Sequence, residues 1–371
     1  HMATVLVQGQ GARDLLQRTF SRDLSAYLGK SQNPLYPGRM VYGVFLDPHG
    51  HVIDDAIITQ LEDELYMVVV NAGMGPTIGA HLKDYRTEGQ TQIADLTDQV
   101  GKIDLQGPKA AVIMASLLRD PGIVFDRMPY FSSKGHIQAE KSDVFLQDGT
   151  PLLLSRSGYT GELGFEIFVR NQDLLTTWNQ VLDAGAKHKI LPCGLAARDS
   201  LRAGALLPLS HQDIGDWPFL NTPWDFVLPW NAEHTGFSKN FPGAQALCDL
   251  RDPPLTAAFI GRDLRKVSAG PESHVLSSTD EPIGHILTCV TDVGLGWHQG
   301  RVYSISSPDA PEDFKPKGLR CGFVRVAASL QPGDVIWLKD KRRTLEGTVV
   351  QDIRPDRTAR RPLKEMLEVN S

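Results

Sequence analysis

The feature that most constrains this chain is a pattern of strand, glycine turn and helix that occurs twice. Residues 5–16, VLVQGQGARDLL, read as an alternating strand that turns at Gly9 into the start of a helix, and residues 103–114, IDLQGPKAAVIM, do the same at Gly107. Strand, turn and helix units recur in many folds, so chance repetition is the alternative. The shared Gln-Gly-x-x-Ala spacing favours two related α+β units.

Each copy of the pattern leads to a hairpin punctuated by glycine, at residues 41–59 after the first copy and at 151–169 after the second. Elsewhere apolar residues recur at three- and four-residue spacing, which is typical of helices with one buried face. This spacing predicts helices at 12–19, 75–85, 109–118, 171–186 and 195–205.

The composition of the chain changes after Leu250. The segment RDPPLT is rich in proline, and the residues that follow are strand-like, with glycine, proline and serine at the turns. We therefore expect two regions, residues 1–250 and residues 251–371, and short strands at this spacing predict a small β-barrel for the second region. The predicted barrel strands are 257–264, 284–291, 300–307, 319–327, 333–340 and 346–353.

Composition also narrows the classes of partner and compartment. The 371 residues carry 38 Lys and Arg against 44 Asp and Glu, a formal charge of −6, which argues against duplex nucleic acid as a partner. The four cysteines have no C-x-x-C spacing, which fits a reducing compartment. Because the sequence shows no apolar run of about 18 residues and no secretory signal, we expect a cytoplasmic protein, or a mitochondrial matrix protein in a eukaryote, with no membrane partner.

Several common active-site motifs are missing from the sequence. It has no G-x-x-x-x-G-K-[ST] phosphate loop, no G-x-G-x-x-G opening a helix, no H-E-x-x-H and no G-x-S-x-G. The chain therefore shows no signature of a phosphate loop, a dinucleotide fold, a zinc protease or a hydrolase nucleophile. We predict no metal site.

A pair of acidic residues, Asp54 and Asp55, interrupts the second arm of the 41–59 hairpin. Alternation along a strand sends neighbouring side chains to opposite faces, so one carboxylate is expected in solvent or in a cap and the other inside. An inward carboxylate is costly without a fixed partner, and this favours a cleft that meets a cationic or amine-bearing ligand. The alternative is a charge pair on an edge strand.

Two further stretches concentrate polar residues. Residues 157–166 hold three glycines with Glu162 and Glu166, and a glutamate after such a turn can bind a heterocycle through an amino group and a ring N–H; the alternative is a tight turn with both acids in water. In the helix at 195–205, Arg198 and Arg202 share one face. They hold an anion, or they pair with Asp199 and its neighbours. His211 lies near Asp213 and Asp216, and a solvated loop is the expected state there.

Five stretches of the chain form a recognisable set in a fixed order. They are PGRMVYGVFLDPHGHVIDD at 37–55, VVNAG at 69–73, LQGPKA at 105–110, SGYTGELGFEIFV at 157–169 and CGLAARDSLRAGALLPL at 193–209. Together they resemble the aminomethyltransferase family, which contains the T-protein of the glycine cleavage system and its folate-dependent relatives. The resemblance implies an α+β fold, with duplicated α/β folate-binding units in a cloverleaf-like arrangement and a C-terminal β-barrel. It also implies tetrahydrofolate in a central channel.

The resemblance carries roles to particular residues. Asp55 matches the catalytic aspartate of the family, which makes it the expected inward carboxylate of the pair. The N-terminal His1-Met2 is similar to the end of the family's S-H-M segment, although a cloning scar is the alternative. The residues that match folate-binding positions are Glu166, Arg198, Tyr159, Val69, Asn71 and Met2.

The implied function is tetrahydrofolate-dependent one-carbon transfer. An aminomethyltransferase takes the unit from the lipoyl arm of a carrier protein, releases ammonia and forms 5,10-methylenetetrahydrofolate. A demethylase or methyltransferase relative acts on a small methylated donor. A non-catalytic folate-binding relative supports iron–sulfur cluster assembly, but its K-G-C-Y-x-G-Q-E signature has no counterpart in ALLPLSHQDIG. Residues 203–205 and 209–212 also depart from the T-protein pattern near the expected donor entrance, which leaves the donor open. We expect a monomer.

Overall fold

The first unit is an antiparallel sheet with helices on one face. A computed structural model describes residues 2–26 and 34–368, so His1 lies outside the described residues. The sheet order is β2-β3-β4-β1-β5. Apolar side chains of the strands pack with those of the helices around Phe20 and Phe45. The elements are β1 (Ala3–Gln8), α1 (Ala12–Thr19), β2 (Met40–Leu46), β3 (Val52–Glu62), β4 (Leu65–Val70), α2 (Gly75–Tyr85) and β5 (Gln92–Asp95).

The second unit repeats this design with a smaller sheet, in the order β6-β9-β8-β7. The predicted helix at 171–186 begins as a 3-10 turn, Asn171–Asp173, and continues as an α-helix. The elements are β6 (Val100–Gln106), α3 (Ala110–Leu117), α4 (Pro121–Phe125), β7 (Ser133–Gly135), β8 (Leu153–Ser155), β9 (Gly164–Arg170) and α5 (Leu174–Gly185).

The glycine turns of the two units have the same geometry. Gly9 has φ 116° and Gly107 has φ 119°, values that glycine adopts far more readily than other residues. In both turns the glycine carbonyl accepts a hydrogen bond from the amide that opens the helix, Ala12 at 2.9 Å and Ala110 at 3.0 Å. The repeated sequence pattern therefore corresponds to a repeated backbone structure.

The third part is a closed six-stranded barrel in the order β10-β15-β12-β11-β16-β17. Five of the six predicted strands belong to it, but the prediction for 300–307 was wrong. That segment folds back across Gln299-Gly300, both with positive φ, as a separate hairpin, because such a turn favours local pairing. Its place in the barrel is taken by a strand of three residues. The elements are β10 (Leu255–Ile260), β11 (His274–Leu276), β12 (Pro282–Asp292), β13 (Leu295–His298), β14 (Arg301–Ser304), β15 (Leu319–Val326), β16 (Val335–Lys339) and β17 (Thr344–Val350).

Three further helices join the parts. Helix α6 (Leu195–Gly204) packs on β12 and β15, α7 (Ala244–Asp249) precedes the barrel, and α8 (Leu363–Glu368) returns to pack on α3 of the second unit. Within the described ranges, no helix has the length and apolar character needed to cross a bilayer.

A buried charge network fixes α6 to the barrel. The Arg202 guanidinium, 1% exposed, pairs with the carboxylates of Asp199 and Asp213 and donates to the Thr288 hydroxyl at 3.0 Å. The Asp213 carboxylate also accepts the Thr288 hydroxyl at 2.7 Å and the Leu209 amide at 2.9 Å. Of the two expectations for Arg202, pairing with neighbouring acids is therefore the correct one.

This network predicts a stability effect. Asp213→Asn removes the charge that compensates Arg202 in the interior, and loss of one partner of a buried pair typically costs about 3–5 kcal/mol. Urea unfolding should show a loss of that size. The matched control is Asp309→Asn, since the Arg301–Asp309 pair is about half exposed and should contribute less than about 1 kcal/mol. Equal losses in the two variants would contradict this role for Arg202.

Candidate active site

The acidic pair lies in the middle of β3, and strand pairing sends its members to opposite faces. Asp54 pairs with Phe45 and Asp55 with Val44 on β2, as alternation predicted. The expectation that Asp54 faces away, into solvent or a cap, was wrong, because its side chain is fully buried whereas Asp55 is partly exposed. The reason is that Asn71 at the end of β4 and the loop that carries Ser210 cover Asp54.

One side-chain amide connects the two carboxylates. The Asn71 Nδ2 donates to Asp54 Oδ1 at 2.7 Å and to Asp55 Oδ1 at 2.6 Å. Asp54 also accepts the Asn71 backbone N–H at 2.8 Å and the Ser210 hydroxyl at 2.9 Å, and the second oxygen of Asp55 accepts the Tyr42 hydroxyl at 2.9 Å. Both carboxylates are therefore held in place by neutral donors.

Neutral donors do not balance two neighbouring charges. Burial and the Asp54 charge raise the pKa of Asp55 to about 7, against opposing hydrogen bonds from Tyr42 and Asn71. Burial also raises the pKa of Asp54, although its hydrogen bonds oppose this. A carboxyl group with a pKa near neutrality can both hold and release a proton at physiological pH, which is the property expected of a general acid or base.

A second polar cluster lies on the sheet of the second unit. Glu166 on β9 stands opposite Asp104 on β6. One oxygen of Glu166 pairs with the Lys102 ammonium and the other accepts the Ser157 hydroxyl. Glu166 is only 6% exposed, so the alternative of a turn with this acid in water is wrong. Lys102 also lies 3.3 Å from the Asp104 carboxylate.

Arg198 and Tyr159 lie next to the second cluster. The Arg198 guanidinium donates to Asp104 Oδ2 at 2.8 Å and lies over the Tyr159 ring, 4.8 Å from its centroid. The Tyr159 hydroxyl donates to the carbonyl of Pro208. Burial raises the pKa of Tyr159, and Asp55 is among the nearby charges that raise it further. The Asp55 charge therefore acts on the Tyr159 hydroxyl.

Val69 and Met2 lie outside these polar clusters. Their side chains belong to an apolar layer between the two sheets, which also contains Met67, Leu153 and Phe168. Val69 is next to Val70, the last residue of β4, and so lies two residues before Asn71. The sequence-predicted residues thus form two polar clusters with an apolar layer beside them.

The loop that departs from the T-protein pattern contacts the first cluster. His211, with φ 62°, places its Nε2 3.7 Å from Asp54 Oδ1, and about half of its side chain is exposed. Ser210 is nine-tenths buried on the same carboxylate. Asp213, which the sequence associated with His211, is instead committed to Arg202.

Sequence reasoning missed Tyr42, Lys102 and Asp104. A signal for two of them exists, because VGKIDLQ alternates polar and apolar residues and so places Lys102 and Asp104 on one face of β6. Tyr42 is two residues from Val44, the partner of Asp55, and so shares its face. Among the described residues, no group of three or more His, Cys, Asp or Glu is arranged to hold a metal ion.

Comparison with known proteins identifies relatives of this chain. The family model described as the GCVT N-terminal domain matches residues 1–230. An aminomethyltransferase of Bacillus subtilis is 29% identical over 81% of this chain and 76% of its own length, and one from Symbiobacterium thermophilum is 30% identical over 78% and 72%. One from Natranaerobius thermophilus is 26% identical over 95% and 84%.

A solved structure has the same fold. The glycine cleavage system aminomethyltransferase T from Bartonella henselae superposes with a TM-score of 0.70, covering 98% of this chain and 85% of that one at 23% identity. The predicted α+β class with a C-terminal barrel is confirmed, and the class of protein is a GCVT-domain transferase. By its sequence relatives, this chain belongs to the aminomethyltransferase family.

The raised pKa of Asp55 predicts that the free energy of unfolding depends on pH. The ordinary pKa of the group is 3.8 and its pKa in the folded protein is about 7. The contribution of Asp55 to folding stability is therefore greatest below pH 4 and is lost as the pH rises through 7. Because Asp55→Asn cannot ionise, its free energy of unfolding should rise relative to that of the natural protein by about 2–3 kcal/mol between pH 5 and pH 8.

Denaturant unfolding at both pH values measures this difference. Asp63→Asn, in the exposed turn between β3 and β4, is the control and should show no such trend. A difference for Asp55→Asn that stays constant with pH would contradict the account.

Proposed function

We propose that this protein is a tetrahydrofolate-dependent aminomethyltransferase that moves a one-carbon unit from a donor amine to tetrahydrofolate, with release of ammonia and formation of 5,10-methylenetetrahydrofolate. The observation that carries the proposal is the pair of carboxylate sites, with Arg198 over the Tyr159 ring beside the second site and the Asp55 charge of the first site raising the pKa of Tyr159. Asp55 at the first site has a pKa of about 7. Glu166 at the second is held rigidly by Lys102 and Ser157.

The second cluster fits the chemistry of the pterin. An ionised carboxylate has about four acceptor sites, and Lys102 and Ser157 occupy one on each oxygen of Glu166. The remaining sites can accept the amino group and the neighbouring ring N–H of a pterin as two charge-assisted bonds. Arg198 uses one N–H for Asp104, and its charge favours the anionic glutamate end of the cofactor.

The first cluster fits the chemistry of the transfer. Tetrahydrofolate supplies the amine nitrogens that accept the one-carbon unit. In this proposal Asp55 takes or gives a proton while the donor amine leaves, and its charge stabilises a cationic centre beside it. Tyr42 and Asn71 keep the carboxylate oriented. A group of this kind typically contributes about 10²–10⁴-fold to the rate.

The donor under this proposal is an aminomethyl group on the lipoyl arm of a carrier protein. A small methylated donor is the second candidate, because the loop at the acidic pair departs from the T-protein pattern. Ser210 and His211 lie against Asp54 in the loop that departs from the T-protein pattern. A polar loop at that point alters what approaches the acidic pair.

Binding of tetrahydrofolate tests the second cluster. Glu166→Ala removes an acceptor for two pterin donors, so affinity should fall by about 1.5–3 kcal/mol, the usual size for hydrogen bonds to a charged group. Calorimetry at pH 7 measures the change. Glu140→Ala alters an exposed acid and should leave affinity unchanged. An unaltered dissociation constant for Glu166→Ala would remove Glu166 from the site.

Turnover tests the first cluster and the donor. Ammonia release and the folate product are assayed first with a lipoylated carrier that bears the aminomethyl group and then with small methylated donors. Asp55→Asn should lower turnover by about 10²–10⁴-fold while folate affinity changes much less, and Asp63→Asn should be active. If the natural protein binds folate and turns over no donor, the non-catalytic alternative replaces this proposal.

A further inference from the structure

A second cleft lies on the far side of the second sheet from Glu166. Ser155 pairs with Glu166 across β8 and β9 and Ser157 donates to it, so Arg156 between them points to the opposite face. There the chain encloses a cleft of about 1120 Å³. Its walls come from residues 36–39, from Ala115 and 121–134, and from the C-terminal segment 362–367.

The charges that line this cleft are strongly unbalanced. Five cationic side chains line it and Asp126 is the one acidic residue among the described lining residues. The overall chain is acidic, so this concentration of positive charge is local. The cations are Arg39, Arg127, Lys134, Arg156 and Lys364.

Arg156 is the unusual member of this set. It is 5% exposed, and its terminal nitrogens donate to the carbonyls of Met128, at 2.9 Å, and Arg361. Its Nε has no hydrogen-bond acceptor, and within the described ranges it forms no ion pair with a carboxylate. A buried charge without a counter-charge is costly, so an anion bound in the cleft would compensate the charge of Arg156.

Arg39, on another wall of the cleft, also has a guanidinium nitrogen without an acceptor. Its Nη1 donates to the Tyr130 carbonyl at 3.3 Å, and its buried Nε also has no acceptor. Arg156 and Arg39 therefore offer an anion two guanidinium groups from separate segments of the chain.

Apolar side chains also line the cleft. Phe125, Met128, Leu363 and Leu367 face the cleft, and all four belong to or pack on the core of the second unit. The volume is large enough for a typical small ligand, since ligand pockets commonly span about 300–1,000 Å³. A small inorganic ion would leave most of this space unfilled.

We propose that this cleft binds an organic anion whose carboxylate or phosphate group pairs with Arg156 and Arg39 and whose apolar body packs against Phe125 and Leu367. The site is separate from the two carboxylate clusters and does not depend on the proposed transferase function.

Calorimetry with matched eight-carbon probes tests the charge requirement. Octanoate and octyl phosphate should each bind at about one per chain and at least tenfold more tightly than octanol, and the tighter of the two identifies the preferred head group. Arg156→Met should lower their affinity at least tenfold, whereas Arg170→Met, on an exposed strand end, should not. Equal binding of octanol, absence of binding, or unchanged affinity in Arg156→Met would overturn the proposal.

A second pair of variants tests the location without disturbing Arg156. Gly122 lines the cleft in α4, and a Cβ there meets no atom within 4 Å. Gly122→Trp therefore places an indole in the open space and should abolish octanoate binding, while Gly122→Ala should retain it. Full binding by Gly122→Trp would place the probe elsewhere and refute the site.

Discussion

The loop that covers Asp54 in the acidic pair is anchored by the buried Arg202–Asp213 interaction. Asp213 is fixed by Arg202 and Thr288, and three residues earlier the same loop places Ser210 on Asp54. One helical turn before Arg202, Arg198 reaches Asp104 and covers Tyr159. Helix α6 thus holds the barrel through one arginine and the second polar cluster through the other. A change in this helix would displace both clusters at once.

The acidic pair lowers the stability of the fold. Two carboxylates share one amide, and no cation in the described part of the chain is bonded to Asp55, so its pKa lies near neutrality. An Asn or a hydrophobic residue at either position would fill the same space without the repulsion between two carboxylates. Retaining such an arrangement is characteristic of active sites, where function is often maintained at the expense of stability. Glu166 is the contrast, since its carboxylate pairs directly with the Lys102 ammonium.

Local chemistry explains which parts of the fold could be predicted from the sequence. The helices at 12–19 and 75–85 match α1 and α2 because apolar spacing and glycine turns define their ends. The strand at 300–307 was misplaced because turn chemistry favoured a hairpin, and the three-residue strand β11 carries too little pattern to detect. Asp54 was misjudged because its cover, Ser210, is distant in sequence. Alternation along a strand separates its two faces, but it does not show that both faces are buried, as they are at Asp54 and Asp55.

The resemblance to a family supplied what spacing could not. No local pattern links Asp55 to Tyr159 and Arg198; in the folded chain Arg198 lies over the Tyr159 ring, and the Asp55 charge raises the pKa of Tyr159. Lys102 and Asp104 were visible as an alternating polar face, but their ion pairs with Glu166 and Arg198 depend on the pairing of β6 with β9 and the docking of α6.

A crystal structure of the protein with tetrahydrofolate bound tests the central claim most directly. The account predicts the pterin between the two clusters, with its amino edge on the Glu166 carboxylate and its reactive nitrogens facing Asp55. A pterin bound against the barrel, or with neither carboxylate in contact, would contradict it.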